Sequence, residues 1–187
     1  MKKKIILAIL CALGAAAFGF SACSSCDGGD GLSDYVGGMK NSADSAVTVD
    51  ASVNLADGEV TVYTFTRHME IDVGTRTASV ADTKVTYTTN FEQKTENSTS
   101  SVSDVKGDTI ISLNLNEGLV SSYEIKDGDL QCTVAKDKIS EVLKSNVSAS
   151  SDMTLSVDFE DGKLIKVSYS YANASSRTVD VTVSYGY

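Results

Sequence analysis

The 187-residue sequence has no proline, no tryptophan and a single histidine, His68. The absence of proline excludes proline-rich linkers and cis-proline turns. With one histidine, a Ser-His-Asp triad would have to be built on His68, and a catalytic zinc site with several histidine ligands is excluded. P-loop, dinucleotide-binding, nucleophile-elbow and HExxH motifs are missing as well. The sequence therefore predicts a protein that is not an enzyme and has no catalytic residue, no metal ligand and no cofactor.

Basic side chains are also scarce. The chain has 16 Lys and Arg against 25 Asp and Glu, and three of the basic residues are Lys2, Lys3 and Lys4. Affinity for nucleic acid comes largely from Lys and Arg that neutralise phosphates, so nucleic acid is excluded as a partner. The same deficit argues against a domain that lies flat on an anionic membrane surface. The acidic excess instead keeps the chain soluble by self-repulsion.

The amino terminus has the pattern of a secretory signal. Three lysines form a basic region, and Ile5 to Ala17 form an apolar region of matching length. The run Phe20-Ser21-Ala22-Cys23 then resembles the bacterial lipoprotein signal, in which small residues precede a cysteine that is diacylated and becomes the new amino terminus. The resemblance implies a signal peptide over residues 1–22, lipidation of Cys23, and a chain anchored to a membrane on the extracytoplasmic side of a bacterial cell envelope.

Two alternatives to lipidation remain for this segment. One is an uncleaved transmembrane helix, but the apolar run contains Gly14, is followed by Gly19 and is shorter than the roughly 20 residues needed to span a bilayer. The other is ordinary secretion with cleavage near Ser21-Ala22. We favour lipidation, and two or three acyl chains anchor a protein stably where a single chain is marginal.

The cysteines allow two interpretations. Cys11 lies in the signal and Cys23 is the lipidation position, which leaves Cys26 and Cys132. Cys132 occupies an apolar position of an alternating strand pattern, which favours a buried, inert thiol. The alternative is a disulfide between Cys26 and Cys132 in an oxidising envelope.

Residues 23–43 are rich in Gly, Ser and Asp. Such a composition buries too little apolar surface to offset the entropy lost on ordering. We therefore predict a lipidated, flexible tether over 23–43, in which Leu32 to Met39 form at most one helical turn on the domain.

From residue 44 to residue 187 the hydrophobic period is two, which is typical of antiparallel sheet with one buried face. The alternating runs are Val47–Leu55, Val85–Tyr87, Ile111–Leu115, Leu130–Val134, Met153–Phe159, Val167–Tyr171 and Val179–Tyr187. The second strand changes parity between Val62 and Tyr63, which predicts either a bulge near Val62 or a strand covered on both sides. The polar run from residue 92 to residue 101 predicts an exposed edge or a loose loop.

Three Asp-Gly pairs predict hairpin turns, because both central residues of a type I′ turn need positive φ. The pairs are Asp57-Gly58, Asp127-Gly128 and Asp161-Gly162. Two-residue loops at the first two pairs place Leu55 opposite Val60 and Ile125 opposite Leu130, which keeps apolar residues on one face. At the third pair, face matching favours a three-residue loop with a glycine bulge, Phe159 opposite Ile165, and Val157 opposite Val167.

These patterns predict an all-β domain over residues 44–187. We expect a single antiparallel meander of about nine to ten strands that forms a strongly curved sheet or half-barrel, with a closed barrel or a sandwich as alternatives. One short helix is predicted at about 136–146, because Ile139, Val142 and Leu143 form an apolar stripe. In layout and size the domain resembles the half-barrel family of lipoprotein carriers and mycobacterial lipid-binding lipoproteins. That resemblance implies a β-cavity for a hydrophobic ligand.

Two groups of side chains are candidates for chemistry or binding. His68, Glu70 and Asp72 share a parity and would project from one face, as a weak metal site or, in our preferred interpretation, as a polar solvent face. Four tyrosines near the carboxyl terminus would line an amphipathic groove or, in our preferred interpretation, pack in the core. They are Tyr169, Tyr171, Tyr185 and Tyr187. The predicted hairpin places Tyr171 opposite Val179 and Tyr169 opposite Val181.

Two functions are compatible with this sequence. The first is an envelope lipoprotein whose β-cavity binds a lipid or other hydrophobic ligand, since only 8 Tyr and 5 Phe are available to fill a continuous apolar face. The alternative is a non-catalytic structural or protein-interaction module that is tethered at the cell surface and contacts an envelope protein partner. The sequence assigns no ligand-binding residue.

Replacing Cys23 by serine should abolish fatty-acid incorporation and move the chain from the membrane fraction to the soluble fraction, because the thiol that accepts the lipid is lost. Metabolic labelling with an alkyne fatty acid, followed by cell fractionation, measures both effects. Cys26→Ser is the matched control and should keep the label. A Cys23→Ser chain that still carries the label would contradict the assignment.

Overall fold

The computed structural model describes residues 31–88 and 92–187. Nine strands form one sheet: β1 (Thr48–Asp57), β2 (Val60–Asp72), β3 (Thr77–Tyr87), β4 (Gln93–Ser103), β5 (Ser122–Lys126), β6 (Asp129–Val134), β7 (Met153–Glu160), β8 (Lys163–Ala172) and β9 (Thr178–Gly186). The helices in the described part of the chain are α1 (Leu32–Ala43), α2 (Gly107–Ile110) and α3 (Ile139–Val142). The predicted signal peptide, the lipidation site Cys23 and its neighbour Cys26 lie outside the described residues.

The sheet consists of two meanders joined in the middle. Strands β1 to β4 form one meander and β5 to β9 the other, and β1 pairs antiparallel with β9 from Thr48 opposite Gly186 to Ala56 opposite Thr178. The order is β4-β3-β2-β1-β9-β8-β7-β6-β5, so the sheet is open and its edges are β4 and β5. The prediction of an all-β, antiparallel sheet of about nine to ten strands is confirmed, whereas the predicted single meander is replaced by two meanders that meet at β1 and β9. The closed barrel and the sandwich were wrong alternatives.

The turn at Asp127-Gly128 has the predicted conformation, with φ values of 55° and 96°. Positive φ at both positions matches the right-handed twist of the flanking strands. The predicted pairing of Ile125 with Leu130 is confirmed.

The turn at Asp161-Gly162 is one residue shorter than predicted. Its two-residue loop makes Phe159 pair with Leu164 instead of with Ile165. Ile165 then forms a bulge in β8, which restores the predicted pairing of Val157 with Val167. The bulge therefore lies within β8 and not in the loop. It is needed because Val157 and Val167 must pair on the buried face.

The hairpin of β1 and β2 contains the predicted bulge at Val62, which has no partner in β1. Leu55 pairs with Tyr63, so the predicted pairing of Leu55 with Val60 was wrong, and Val60 is exposed. The extra residue shifts the parity of β2. As a result, Tyr63 and Phe65 lie on the same face as Leu55 and are buried.

The two faces of the sheet differ sharply. One face, which we call the inner face, carries the buried alternate residues of the strands, such as Val53, Val157 and Val181. Residues of α1, of α3 and of the segment 105–121 belong to the same apolar core. The opposite, outer face carries the polar alternate residues.

In the segment predicted to be a flexible tether with one helical turn on the domain, residues 32–43 form a helix of about three turns. Leu32, Val36, Met39 and Ala43 in α1 recur at helical spacing and are buried. The apolar positions from Leu32 to Met39 indicate helix in the sequence, but the glycine content limited the predicted helix to one turn. Gly37, at a position with open space around it, does not interrupt the packing.

Helix α1 is held to the sheet by specific contacts along its length. The Tyr35 hydroxyl donates a hydrogen bond to the Gly128 carbonyl at 2.8 Å, and its ring packs edge-on against Phe159. Near the other end, the Ser42 hydroxyl accepts a hydrogen bond from the Leu164 amide at 2.8 Å. These contacts fix α1 against the hairpin ends of β6 to β8.

Helix α2 approaches the backbone of α1 closely. A Cβ atom on Gly107 would lie 1.8 Å from the Lys40 carbonyl oxygen, so only glycine fits at this position. The Gly107 amide donates to the Asp44 carboxylate at 2.7 Å, and the Lys40 ammonium pairs with Asp108 at 2.7 Å.

The chain from residue 111 to residue 121 was predicted to include a strand but lies outside the sheet. The alternating apolar residues Ile111, Leu113 and Leu115 are buried, as the pattern predicts. They pack into the core from an extended segment that does not pair with any described strand of the sheet. The helix predicted at 136–146 is reduced to the single turn α3, which buries Ile139 and Val142. Residues 136–146 were predicted to be the helix that packs on the sheet, but α1 contributes more buried helical side chains to the core.

Met39→Ala should lower the free energy of unfolding by about 2–5 kcal/mol, because Met39 is fully buried and its truncation leaves a cavity. Gly38→Ala is the matched control one residue away. It should raise stability by about 0.5–1 kcal/mol, since nothing lies near the added methyl group and alanine favours helix. Urea unfolding followed by circular dichroism measures both. Equal, small effects would mean that α1 does not dock.

Candidate functional site

A groove of about 590 Å³ crosses five neighbouring strands, β5 to β9. It lies on the outer face, because the buried lining residues Cys132, Leu155 and Val181 direct their side chains inward and contribute backbone to the groove. Its walls are therefore built from the polar residues that alternate with them. We call this feature the polar groove.

Two rows of side chains run across the polar groove. In the first row, Thr133 pairs with Thr154, Thr154 with Ser170, and Ser170 with Asp180. The Ser170 hydroxyl donates to the Asp180 carboxylate at 2.6 Å. Ser122 of β5 extends this row, since it pairs with Thr133.

The second row lies two residues away along the strands. Gln131 pairs with Ser156, Ser156 with Ser168, and Ser168 with Thr182. The hydroxyl oxygens of Ser156 and Ser168 lie 2.9 Å apart and share a hydrogen bond. Glu124 of β5 extends this row.

The charge of the polar groove is negative. Glu124 and Asp180 are its charged lining residues in the described part of the chain, and no Lys, Arg or His lines it there. Hydroxyl groups both donate and accept hydrogen bonds, so the rows suit a neutral, hydrogen-bonding ligand. The carboxylates disfavour an anion. Sequence reasoning missed the groove because alternating Ser and Thr indicated only a solvent-facing strand side.

The predicted row of His68, Glu70 and Asp72 is only partly assembled. His68 Nδ1 lies 2.7 Å from Asp50 Oδ1, and Nε2 lies 3.7 Å from Glu70 Oε1. Asp72 instead accepts hydrogen bonds from the amides of the following turn, which lowers the pKa of its carboxyl group. No group of three His, Cys, Asp or Glu within residues 31–88 and 92–187 is arranged to hold a metal ion.

The contact between His68 and Asp50 has an electrostatic consequence. The hydrogen bond to Asp50 is the main cause that raises the pKa of His68 above its ordinary value of 6.5, and Glu70 adds to the shift. Both partners are well exposed, so the pair is a surface feature. The sequence could not indicate Asp50, because its position depends on the register of β1 against β2.

The four tyrosines pack with the core, as the preferred interpretation predicted. Tyr171 and Tyr185 are buried, and Tyr169 and Tyr187 are half-buried against the core. The predicted pairings of Tyr171 with Val179 and of Tyr169 with Val181 are confirmed. Burial raises the pKa of Tyr171 to about 12.

Cys132 has a buried, free thiol. Desolvation raises its pKa to about 11, so it is protonated and unreactive at neutral pH.

No helix in the described ranges is long and apolar enough to cross a membrane.

Comparisons with known proteins give limited information. No family model matches the chain, and no curated protein matches it. Among solved structures, the chain is similar to a redesigned β barrel, mFAP1, bound to DFHBI, with 8% identity, a TM-score of 0.24, and coverage of 78% of this chain and 98% of that one. It is also similar to the bifunctional dehydratase-cyclase domain in ambruticin biosynthesis, with 9% identity, a TM-score of 0.23, and coverage of 72% and 73%. Likenesses this low carry no argument about function.

Asp50→Asn should lower the pKa of His68 toward its ordinary value, because the carboxylate that contributes most to the upward shift is removed. A raised folded-state pKa means that protonated His68 favours the folded state. This stabilisation is fully present below the unfolded-state pKa and disappears as the pH rises through the folded-state pKa. An NMR titration of the imidazole measures the shift. Glu70→Gln, at the longer distance, should lower the pKa less, and an equal effect of both variants would contradict this ranking.

Proposed function

We propose that the chain is a membrane-anchored lipoprotein of a bacterial cell envelope, whose folded domain is a non-catalytic binding module on the extracytoplasmic side. The anchor is supported by the sequence pattern that ends at Cys23. The choice of a binding module over a lipid carrier rests on one observation: the chain's own residues pack against the inner face of the sheet from β2 to β6.

A lipid carrier needs an apolar space that the protein leaves open. Here Leu32 and Met39 of α1, Leu115 of the extended segment and Ile139 of α3 are buried in the core of the inner face. Interiors packed in this way leave little volume for an alkyl chain. The geometry therefore favours the alternative, an interaction module, over a hydrophobic ligand in a β-cavity.

The outer face provides the binding surface in this proposal. The polar groove is open, lined by hydroxyl groups, and carries two carboxylates, so it fits a neutral partner rich in hydrogen-bonding groups. The proposed binding is non-catalytic because no His or Lys stands beside a groove hydroxyl in the described part of the chain. Ser156 and Ser168 bond to each other, and Ser170 bonds to a carboxylate. Activation of a serine as a nucleophile requires a base to accept its proton.

Mass spectrometry of the full chain tests this proposal. The chain is expressed with its own signal in a bacterial host, extracted from membranes in detergent, and measured under native and denaturing conditions. The denatured mass should correspond to residues 23–187 plus the acyl modification. The native mass should contain no additional lipid, because the inner face is filled.

Two outcomes would overturn parts of the proposal. A native mass that exceeds the denatured mass by one extractable lipid would restore the carrier function. A denatured mass without acyl groups would remove the anchor and leave a secreted domain.

A further inference from the structure

Strand β4 is a long edge with an unpaired side. It pairs with β3 over eleven residues, from Thr77 opposite Ser103 to Tyr87 opposite Gln93, and it ends the strand order of the sheet. Every residue of β4 is exposed. In the described part of the chain, no strand pairs with the other side of its backbone. Such an edge offers a row of free N–H and C=O groups to another strand.

The charged residues of β4 lie close together on one face. Lys84 pairs with both Phe65 and Glu96, which places Glu96 on the inner-face side. Lys94 has the same parity, and its ammonium lies 2.7 Å from the Glu96 carboxylate. Charges on an edge strand usually prevent pairing with other chains. Here, however, a positive and a negative residue stand two positions apart, with Thr95 between them.

We infer that β4 pairs with β4 of a second copy of this chain, antiparallel and about a twofold axis at Thr95. Because this axis is perpendicular to the sheet, the inner faces of the two copies lie on the same side of the combined sheet. Lys94 of each copy then lies directly opposite Glu96 of the other. Opposite charges at directly opposed positions stabilise a strand pair, and like charges destabilise it.

The second copy fits this edge better than an unrelated strand. The two Lys94–Glu96 contacts form by symmetry from one sequence, which is the self-complementarity of a twofold interface. The paired region from residue 92 to residue 98 otherwise carries polar side chains and one more charge, Glu92, which would lie opposite the uncharged Ser98 of the other copy. The opposite edge, β5, has only five residues. The inference does not depend on the polar groove or on the lipid anchor.

Cysteine cross-linking in the full chain tests the register. Thr95 would lie opposite its own copy at a Cα separation of about 4.5–5.5 Å, which suits a disulfide. Thr99, on the same face of β4, would lie about 27 Å from its copy, since four residues on each side separate it from the axis. We expect Thr95→Cys to give a covalent dimer on mild oxidation in membranes, and Thr99→Cys to stay at the wild-type background. Equal yields from the two variants would overturn the register.

Exchanging the charges of residues 94 and 96 tests the proposed contact between Lys94 of one copy and Glu96 of the other. Adding Lys94→Glu to Thr95→Cys places two like-charged pairs in the interface and should lower the yield of dimer several-fold. Adding Glu96→Lys as well should restore the yield, because the pairs are again opposite in sign. Sedimentation velocity in detergent, on chains without the introduced cysteine, should likewise show a dimer for the wild type and a monomer for Lys94→Glu. A wild-type monomer, or a yield that Lys94→Glu leaves unchanged, would overturn the inference.

Discussion

The pairing of β1 with β9 is the constraint on which the rest of the structure depends. It joins residues near opposite ends of the folded region, and without it the chain would form two separate meanders with short hydrophobic faces. With it, the inner face is continuous from β2 to β6 and large enough to hold one core. A contact of such long sequence separation forms late and slowly, because the loop-closure entropy must be overcome first.

Helix α1 depends on this junction. Ser42 bonds to the Leu164 amide and lies 2.9 Å from the hydroxyl of Tyr187, which in turn donates to the Leu164 carbonyl. The first helix, the eighth strand and the last residue thus meet at one point. This cluster holds α1 against the sheet next to the junction of the two meanders.

Most of this fold is predictable from the sequence, because the signals that specify its strands and turns are local. Alternation identifies the strands, and Asp127-Gly128 specifies its turn, because both signals act within a few residues. The polar groove and the Asp50–His68 contact were not predictable, because each depends on registers between strands. The first hairpin shows the limit, because its Asp-Gly pair alone gave a wrong register. Asp57 pairs with Val60, so the loop is Gly58-Glu59, and the bulge at Val62 then places Tyr63 and Phe65 on the buried face. The length of helix α1 was underestimated because its glycines resemble those of a linker, while its apolar stripe is stabilised only when it packs on the sheet.

The early start of α1 changes how far the domain can stand from a bilayer. Leu32 is part of the core and follows Cys23 by nine residues, so a lipid anchor at Cys23 would lie at most roughly 30 Å of extended chain from the domain. A free segment reaching to residue 43 would have more than doubled that height. If the chain is anchored at Cys23 as proposed, the domain would be held in a thin layer above the headgroups, where neighbouring copies would share one plane and meet edge to edge more often than in solution.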